Sequence, residues 1–267
     1  MTPEPLDAIP LWGLLAGTAT LVFLLIEAGY RLGRRRRQQT DVEREPPVGA
    51  TVAALLALLG FLLAFTFGMA ASRFDARRLA LLEEANAIST TWLRAELLPP
   101  ALRDEVRSEL EEYVDVRLAG ATLDGLRAAI VRSEELHRAL WARAVAAAEQ
   151  APTPITGLFV QSLNQMIDMH ATRLLLALGS RIPIAIWIGL YFVAALAMGV
   201  LGYLEGLTSP RRTPATIALV LTFSSVICLI ADLDRPGEGV LRVSQQAMQD
   251  LRQFMQSPSS LSQGAQP

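Results

Sequence analysis

Residues 48–72 read VGATVAALLALLGFLLAFTFGMAAS, and this stretch decides the fold of the chain. It belongs to a run of 27 uncharged residues that spans 46–72. As a helix, such a run is long enough to cross roughly 30 Å of hydrocarbon. Three more uncharged runs, of 19, 23 and 19 residues, lie at 8–26, 182–204 and 213–231. The four runs predict an all-α, polytopic membrane protein with four transmembrane helices.

The composition agrees with a membrane protein and excludes several other classes. Only 19% of the 267 residues are charged, whereas soluble domains carry about 25%. With 52% hydrophobic residues and a mean hydropathy of +0.34, a soluble globular enzyme and a disordered chain are excluded. A transmembrane β-barrel is excluded because its strands are about ten residues long and alternate apolar with polar residues. The single cysteine, Cys228, excludes a disulfide scaffold, and the net charge of −2 gives no sign of nucleic-acid binding.

Prolines, glycines and charge divide the chain into five predicted parts. Residues 1–48 hold the first transmembrane helix and a basic loop. Residues 49–98 hold the second transmembrane helix, extended into a long rod, and 99–181 form a helical bundle inserted between spans two and three. Residues 182–231 hold spans three and four. Residues 232–267 form a turn, a short helix and a disordered tail.

The rod carries an apolar stripe that indicates burial. Phe74, Leu81, Ala85, Ile88 and Trp92 are spaced by 7, 4, 3 and 4 residues, which keeps them on one helical face. This face is expected to pack against the helices of the bundle. Those helices and the short one near the C-terminus are predicted at 101–119, 123–149, 154–178 and 245–256.

Arginines flank the four spans unevenly. Arg31 and the arginines at 34–37 follow span one, and Arg211 and Arg212 lie in the short loop between spans three and four. Short cytoplasmic loops are enriched in basic residues, so both loops are predicted to be cytoplasmic. The central helical domain and the C-terminus are then predicted to be extracytoplasmic.

One face of span two consists of small residues. Gly60, Ala64, Gly68 and Ser72 follow one another at steps of four, and small side chains let another backbone approach closely in lipid. We interpret this face as a helix-packing face, within the chain or between chains; the alternative is that part of the helix lines a pore. Similar small-residue spacings occur at Gly13-Gly17, Ala195-Gly199 and Gly202-Gly206.

Groups that could carry out chemistry are sparse. His170 follows Asp168 by two residues, so the two side chains point about 200° apart on a helix and do not suit a metal ion. His137 lies in the charged stretch 134–138, which is typical of a solvated helix face. There is no glycine-rich phosphate loop, paired cysteine motif or nucleophile elbow. We therefore predict no enzymatic activity, no catalytic residue, no metal and no cofactor.

Two stretches resemble a known family. Residues 60–78 read GFLLAFTFGMAASRFDARR, and span four is followed by Leu233-Asp-Arg-Pro236. Both are similar to stretches of a bacterial family of membrane proteins called bestrophin-like, and the resemblance covers most of 49–252. Bestrophins are pentameric anion channels. The resemblance therefore implies a homo-oligomer, pentameric, that conducts chloride or other anions in the bacterial plasma (inner) membrane.

The resemblance also implies site residues. It maps the hydrophobic neck of bestrophins onto span two at Phe61 and Phe65, the candidate pore constriction. It marks Asp234, Arg235 and Pro236 as a candidate turn after span four. Bestrophins keep their helical domain in the cytoplasm, which is the opposite of what the arginines predict. An alternative function is that of a membrane sensor or scaffold whose extracytoplasmic bundle binds a partner.

Overall fold

The computed structural model describes residues 9–39, 48–120, 123–179, 181–208, 214–235 and 239–257. Over these residues the chain is all-helical and forms no strand, as predicted. Eight helices occur in the described residues: α1 (Leu11–Gln39), α2 (Val48–Ala95), α3 (Pro100–Ala119), α4 (Leu123–Gln150), α5 (Pro154–Gly179), α6 (Ile184–Thr208), α7 (Pro214–Asp234) and α8 (Gln246–Gln256). Four of them, α1, α2, α6 and α7, are long and apolar enough to cross a membrane.

The helix ends agree closely with the predicted ones. Helices α3, α4, α5 and α8 begin and end within about two residues of the predicted positions, which is the usual uncertainty of a helix boundary. At the start of α5, Thr153 Oγ accepts a hydrogen bond from the backbone N–H of Thr156 at 3.2 Å, and Pro154 occupies the first helical position. The predicted disordered tail lies outside the described residues from position 258 onward.

The chain divides into two compact units. The membrane unit comprises Met1–Phe74 and Arg181–Leu241, and so contains α1, the apolar part of α2, α6 and α7. The helical unit comprises Asp75–Ser180 and Arg242–Pro267, and so contains the remainder of α2 with α3, α4, α5 and α8. The predicted parts 49–98 and 232–267 are thus each divided between the two units.

In the membrane unit, α1 and α6 make a close backbone contact. Gly29 and Gly33 of α1 face Gly202 and Gly206 of α6. A Cβ atom added at any of these four positions would collide with a carbonyl oxygen of the opposite helix. Close contact of this kind stabilises helix pairs in lipid, where the hydrophobic effect between helices is absent. The predicted packing role of Gly202-Gly206 is therefore confirmed, whereas a Cβ atom at Gly17 would meet nothing within 4 Å.

The helical unit has an apolar core of its own. Ala85, Ile88 and Trp92 of α2 belong to this core, and Leu81 is buried as well, so the predicted burial of these four members of the stripe is confirmed. Helix α8 joins the same core because one of its faces is apolar. The core residues that the other helices contribute include Val106, Leu110, Leu140, Phe159, Leu163, Met248, Leu251 and Met255.

Candidate functional site

The candidate constriction residues, Phe61 and Phe65, lie one turn apart on α2. Their rings stack with centroids 6.5 Å apart and an interplanar angle of 18°. Both side chains are exposed in the single chain, to 66% and 59% of their full area. The two rings form one apolar ridge. Such a ridge suits a hydrophobic constriction, and an apolar ring on a membrane helix also suits contact with lipid.

The small-residue face of α2 is uncovered. Gly60, Ala64, Gly68 and Ser72 are all exposed. A Cβ atom added at Gly60 or Gly68 would meet nothing within 4 Å in the described residues. This is the opposite of the glycines between α1 and α6, which leave no room for a side chain. The packing role of this face is thus not met within the described chain, and packing between chains stays a prediction.

The turn after span four joins several segments of the membrane unit. Asp234 is buried, and its Oδ1 accepts a hydrogen bond from the backbone N–H of Ile182 at 3.0 Å, just ahead of α6. The guanidinium groups of Arg73 and Arg181 lie 3.8 and 3.7 Å from the same carboxylate. Asp234, the last residue of α7, therefore connects the middle of α2 with the segment just ahead of α6.

The neighbouring residues hold two further segments. Arg235 is buried, and its Nη2 donates to the carbonyl oxygen of Ile9 at 2.7 Å, just before α1. The carboxylate of Asp232 accepts hydrogen bonds from the backbone N–H groups of Val240 and Leu241 at 3.0 and 3.1 Å. Gly239 has φ 111°, a left-handed conformation that favours glycine. Pro236, the third predicted turn residue, lies outside the described residues.

The helical unit contains a buried polar cluster that the sequence did not reveal. Glu84 on α2 is completely buried. Its carboxylate accepts a hydrogen bond from Tyr113 on α3 at 3.0 Å, and it lies 2.9 Å from Nε of Arg117, one turn further along α3. Arg173 on α5 donates to the other carboxylate oxygen and also to Gln245 Oε1, the latter at 3.2 Å. We call Glu84, Tyr113, Arg117 and Arg173, together with His137 and His170, the Glu84 cluster.

Two histidines complete the Glu84 cluster. The hydroxyl of Tyr113 lies 3.0 Å from Nδ1 of His170. The ring of His137, on α4, meets the edge of the His170 ring with centroids 4.8 Å apart, and it lies 5.1 Å from the ring of Tyr113. The predicted solvated position of His137 is wrong, because only 9% of the residue is exposed. It belongs to the inner face of α4.

Burial and charge shift the protonation equilibria of the cluster. Burial would raise the pKa of the Glu84 carboxyl, but nearby His170 and the charges of Arg117 and Arg173 outweigh it and hold that pKa well below its ordinary value. Burial lowers the pKa of His137 to about 4, with a further contribution from His170. Burial and the Glu84 charge raise the pKa of Tyr113. At neutral pH, Glu84 is therefore ionised, while Tyr113 and His137 are neutral.

The sequence carried only a weak sign of this cluster. Glu84 interrupts a buried face of α2, since Ala80, Leu81, Ala85 and Ile88 around it are all buried. A charged residue within one turn of so many core positions could have predicted a buried and paired carboxylate at Glu84. Among the described residues, no group of three or more His, Cys, Asp and Glu side chains is placed to hold a metal ion.

Comparison with known proteins gives a family and a fold. A family model named for the bestrophin-like domain matches residues 15–248. None of the curated proteins matches the chain. A crystal structure of a protein described as a membrane protein superimposes with a TM-score of 0.69 at 15% sequence identity, covering 88% of this chain and 96% of that one. At this identity the similarity establishes the fold alone, whereas the family model spans most of the sequence. The chain belongs to the bestrophin-like family.

Proposed function

We propose that the chain is one subunit of a homo-oligomeric ion channel that conducts anions through a path lined by α2. The observation that carries this proposal is the uncovered face of α2. The helix is the most apolar candidate span, yet its small residues and the Phe61–Phe65 ridge are exposed in the described chain, and a Cβ atom added at Gly60 or Gly68 would meet nothing within 4 Å. Membership of the bestrophin-like family supports the proposal.

In the proposed assembly, two features of α2 have separate roles. Gly68 and the other small residues let neighbouring copies approach closely, since backbone packing drives helix association in lipid. Phe61 and Phe65 narrow the path, and a ring of apolar side chains regulates conduction by excluding water. The resemblance to bestrophins implies five copies.

We also propose that the protein resides in a bacterial plasma membrane, with the helical unit inserted between spans two and three outside the cytoplasm. Arg36 and Arg37 lie in the last turn of α1, and they belong to a group of arginines that basic-residue enrichment assigns to the cytoplasmic side. The four candidate spans then place the residues between α2 and α6 on the opposite side.

Chloride efflux from liposomes containing the full-length protein tests the channel. The parent protein is expected to release chloride faster than empty liposomes, and planar-bilayer recordings should show an anion-selective current. Replacing both rings, Phe61→Ala with Phe65→Ala, should raise the efflux several-fold because the constriction widens. The oligomeric state is measured in parallel, so that efflux is compared only between assembled proteins.

A matched control pair lies on α6. Ile188 and Phe192 are also one turn apart, and each is 63% exposed. Replacing both by alanine should leave the efflux unchanged, since these side chains are proposed to face lipid. An assembled Phe61→Ala, Phe65→Ala protein that releases chloride no faster than the parent would count against the constriction. A parent protein without any current would favour the sensor or scaffold instead.

A further inference from the structure

We propose that Arg117 and His137 of the Glu84 cluster, together with the neighbouring Ser133, form a binding site for a monovalent inorganic anion such as chloride. The site lies within the helical unit and shares no residue with the proposed conduction path of α2. It therefore stands or falls independently of whether the protein is a channel.

The first observation is an excess of positive charge. Two guanidinium groups, those of Arg117 and Arg173, are paired with one carboxylate, that of Glu84. No other carboxylate forms an ion pair with either arginine among the described residues. Arg117 and Arg173 expose only 4% and 14% of their side chains, so both charges are largely removed from water and require compensation by charges of the opposite sign. A bound monovalent anion balances the cluster, which a water molecule does not do.

The second observation is a set of buried polar atoms without a hydrogen-bond partner in the described residues. They are Arg117 Nε, Ser133 Oγ, His137 Nε2 and His170 Nε2. Arg117 Nε lies close to the Glu84 carboxylate, but its N–H is not aligned for a hydrogen bond. Buried polar groups in proteins nearly always have a partner. Three of these atoms belong to the Glu84 cluster and the fourth, of Ser133, lies one helical turn before His137, so together they point to a ligand.

The chemistry of these atoms favours an anion over a cation. Arg117 Nε and the hydroxyl of Ser133 can both donate, and a neutral His137 donates through one ring nitrogen. Ser133 precedes His137 by four residues on α4, which places the two side chains next to each other on one helix face. A metal ion, by contrast, would be repelled by the guanidinium groups of Arg117 and Arg173.

His170 explains why the site lies on the α4 side of the cluster. When Tyr113 donates to Glu84, its oxygen accepts from Nδ1–H of His170, and in the neutral form of this ring Nε2 is then an acceptor. That nitrogen does not bind an anion. The groups left to bind the anion are the donors of α3 and α4, which are Arg117, Ser133 and His137.

A solvent-open cavity lies beside the cluster, between α2 and α5. Its volume is about 360 Å³, and its lining includes Glu83 and Met169, which directly precede Glu84 and His170 in the sequence. The side chain of Arg173 keeps 14% of its area exposed and links the cluster to solvent. An anion can thus be attracted by a partly hydrated guanidinium group before it enters.

Thermal unfolding of the full-length protein in detergent tests the proposal. Chloride is exchanged for gluconate at constant ionic strength, so that only the identity of the anion changes. Saturating chloride should raise the unfolding temperature by roughly 2–4 °C, because a ligand that binds only the folded state stabilises it. Equal unfolding temperatures in the two salts would overturn the proposal.

Two buried serines provide the decisive pair of variants. Ser133→Ala removes a proposed anion donor and should abolish most of the chloride-dependent shift. In gluconate this variant should be at least as stable as the parent, because an unpartnered buried hydroxyl is removed. Ser162 is equally buried, but its hydroxyl donates to the carbonyl oxygen of Phe159 at 2.9 Å. Ser162→Ala should therefore keep the full chloride-dependent shift.

Two further measurements keep the proposal falsifiable if Ser133→Ala fails to fold. Arg173→Gln removes the excess charge while leaving a side chain that can donate to Glu84, and it should also abolish the chloride-dependent shift. Crystals grown with bromide should show an anomalous peak near Ser133 and His137. Retention of the full shift in both Ser133→Ala and Arg173→Gln, or a position that binds water only, would overturn the proposal.

Discussion

At the scale of single residues, Glu84 is a buried charge held by partners on two other helices. It is fully buried, and it accepts contacts from α3 and α5 at once. A buried carboxylate is stabilised only if its partners supply opposite charge and hydrogen bonds, as Arg117, Arg173 and Tyr113 do here. Glu84 therefore determines how three helices meet.

The first prediction follows from this position. Glu84→Gln leaves Arg117 buried without a counter-charge, so the free energy of unfolding should fall by about 3–5 kcal/mol. The neighbouring Glu83 is exposed, and Glu83→Gln should change stability by only about 0.5 kcal/mol. Thermal or denaturant unfolding of the purified protein measures both. Equal losses for the two variants would show that the Glu84 contacts contribute little to stability.

The second prediction concerns pH. Burial lowers the pKa of His137 to about 4, from an ordinary value of 6.5. Between these values the folded state binds fewer protons than the unfolded chain, so stability is present above pH 6.5 and is lost as the pH falls towards 4. The contribution is on the order of 2 kcal/mol after allowance for partial solvation.

Replacing the titrating ring tests the assignment. The free energy of unfolding of His137→Gln should depend less on pH between pH 7.5 and 5 than that of the parent. The carboxylates titrate alike in the parent and the variant, so they do not contribute to this difference. If parent and variant lost stability in parallel over this range, His137 would not be the responsible group.

The Glu84 cluster also marks the limit of what the sequence predicts at this scale. Its members lie at positions 84, 113, 117, 137, 170 and 173, on four different helices. Local pattern assigns His137 to a charged stretch, and on that basis it is expected to be solvated. Only the packing of α4 against α3 and α5 decides that it points inwards, and no periodicity of three or four residues reports such long-range contacts.

At the scale of helices, prediction succeeded because the signals are local. Uncharged runs fixed the four candidate spans, and prolines and glycines fixed the ends of α3, α4 and α5. Of the glycine contact between α1 and α6, the sequence predicted only the α6 side. The spacing of Gly202-Gly206 predicted a packing role for these two residues, whereas no such role was predicted for their partners Gly29 and Gly33. Local spacing does not show which helices pair with each other.

The third prediction compares two glycines that differ only in their surroundings. Gly202→Leu introduces a side chain where the backbone of α1 leaves no space, so the chain should fail to fold. Gly68→Leu adds a side chain to an uncovered face, so each subunit should still fold. If copies associate through α2, the second variant should lose its oligomeric state. Native mass spectrometry measures this directly, and a fully assembled Gly68→Leu protein would exclude the small-residue face as the contact between subunits.

At the scale of the whole molecule, the arginines of this chain and its similarity to bestrophins imply opposite orientations in the membrane. Arginines at 34–37 extend α1 beyond its apolar part, and charge enrichment assigns such residues to the cytoplasm. The known orientation of bestrophins assigns the region between spans two and three to the cytoplasm instead. The arginines belong to this chain itself, and the enrichment of basic residues in the cytoplasm is strongest for short loops. We therefore expect the helical unit outside the cytoplasm.

Labelling with a membrane-impermeant maleimide decides between the two orientations. Cys228 is the only cysteine in the chain, so Cys228→Ala gives a background in which single cysteines can be introduced. Glu111 is exposed on α3, and Gln38 is exposed at the end of α1. In spheroplasts, Glu111→Cys should be labelled at once and Gln38→Cys only after the membrane is permeabilised. The reverse result would mean that family-wide constraints on the helical unit outweigh seven arginines in setting the topology, and it would move the Glu84 cluster and its proposed anion site to the cytoplasmic side.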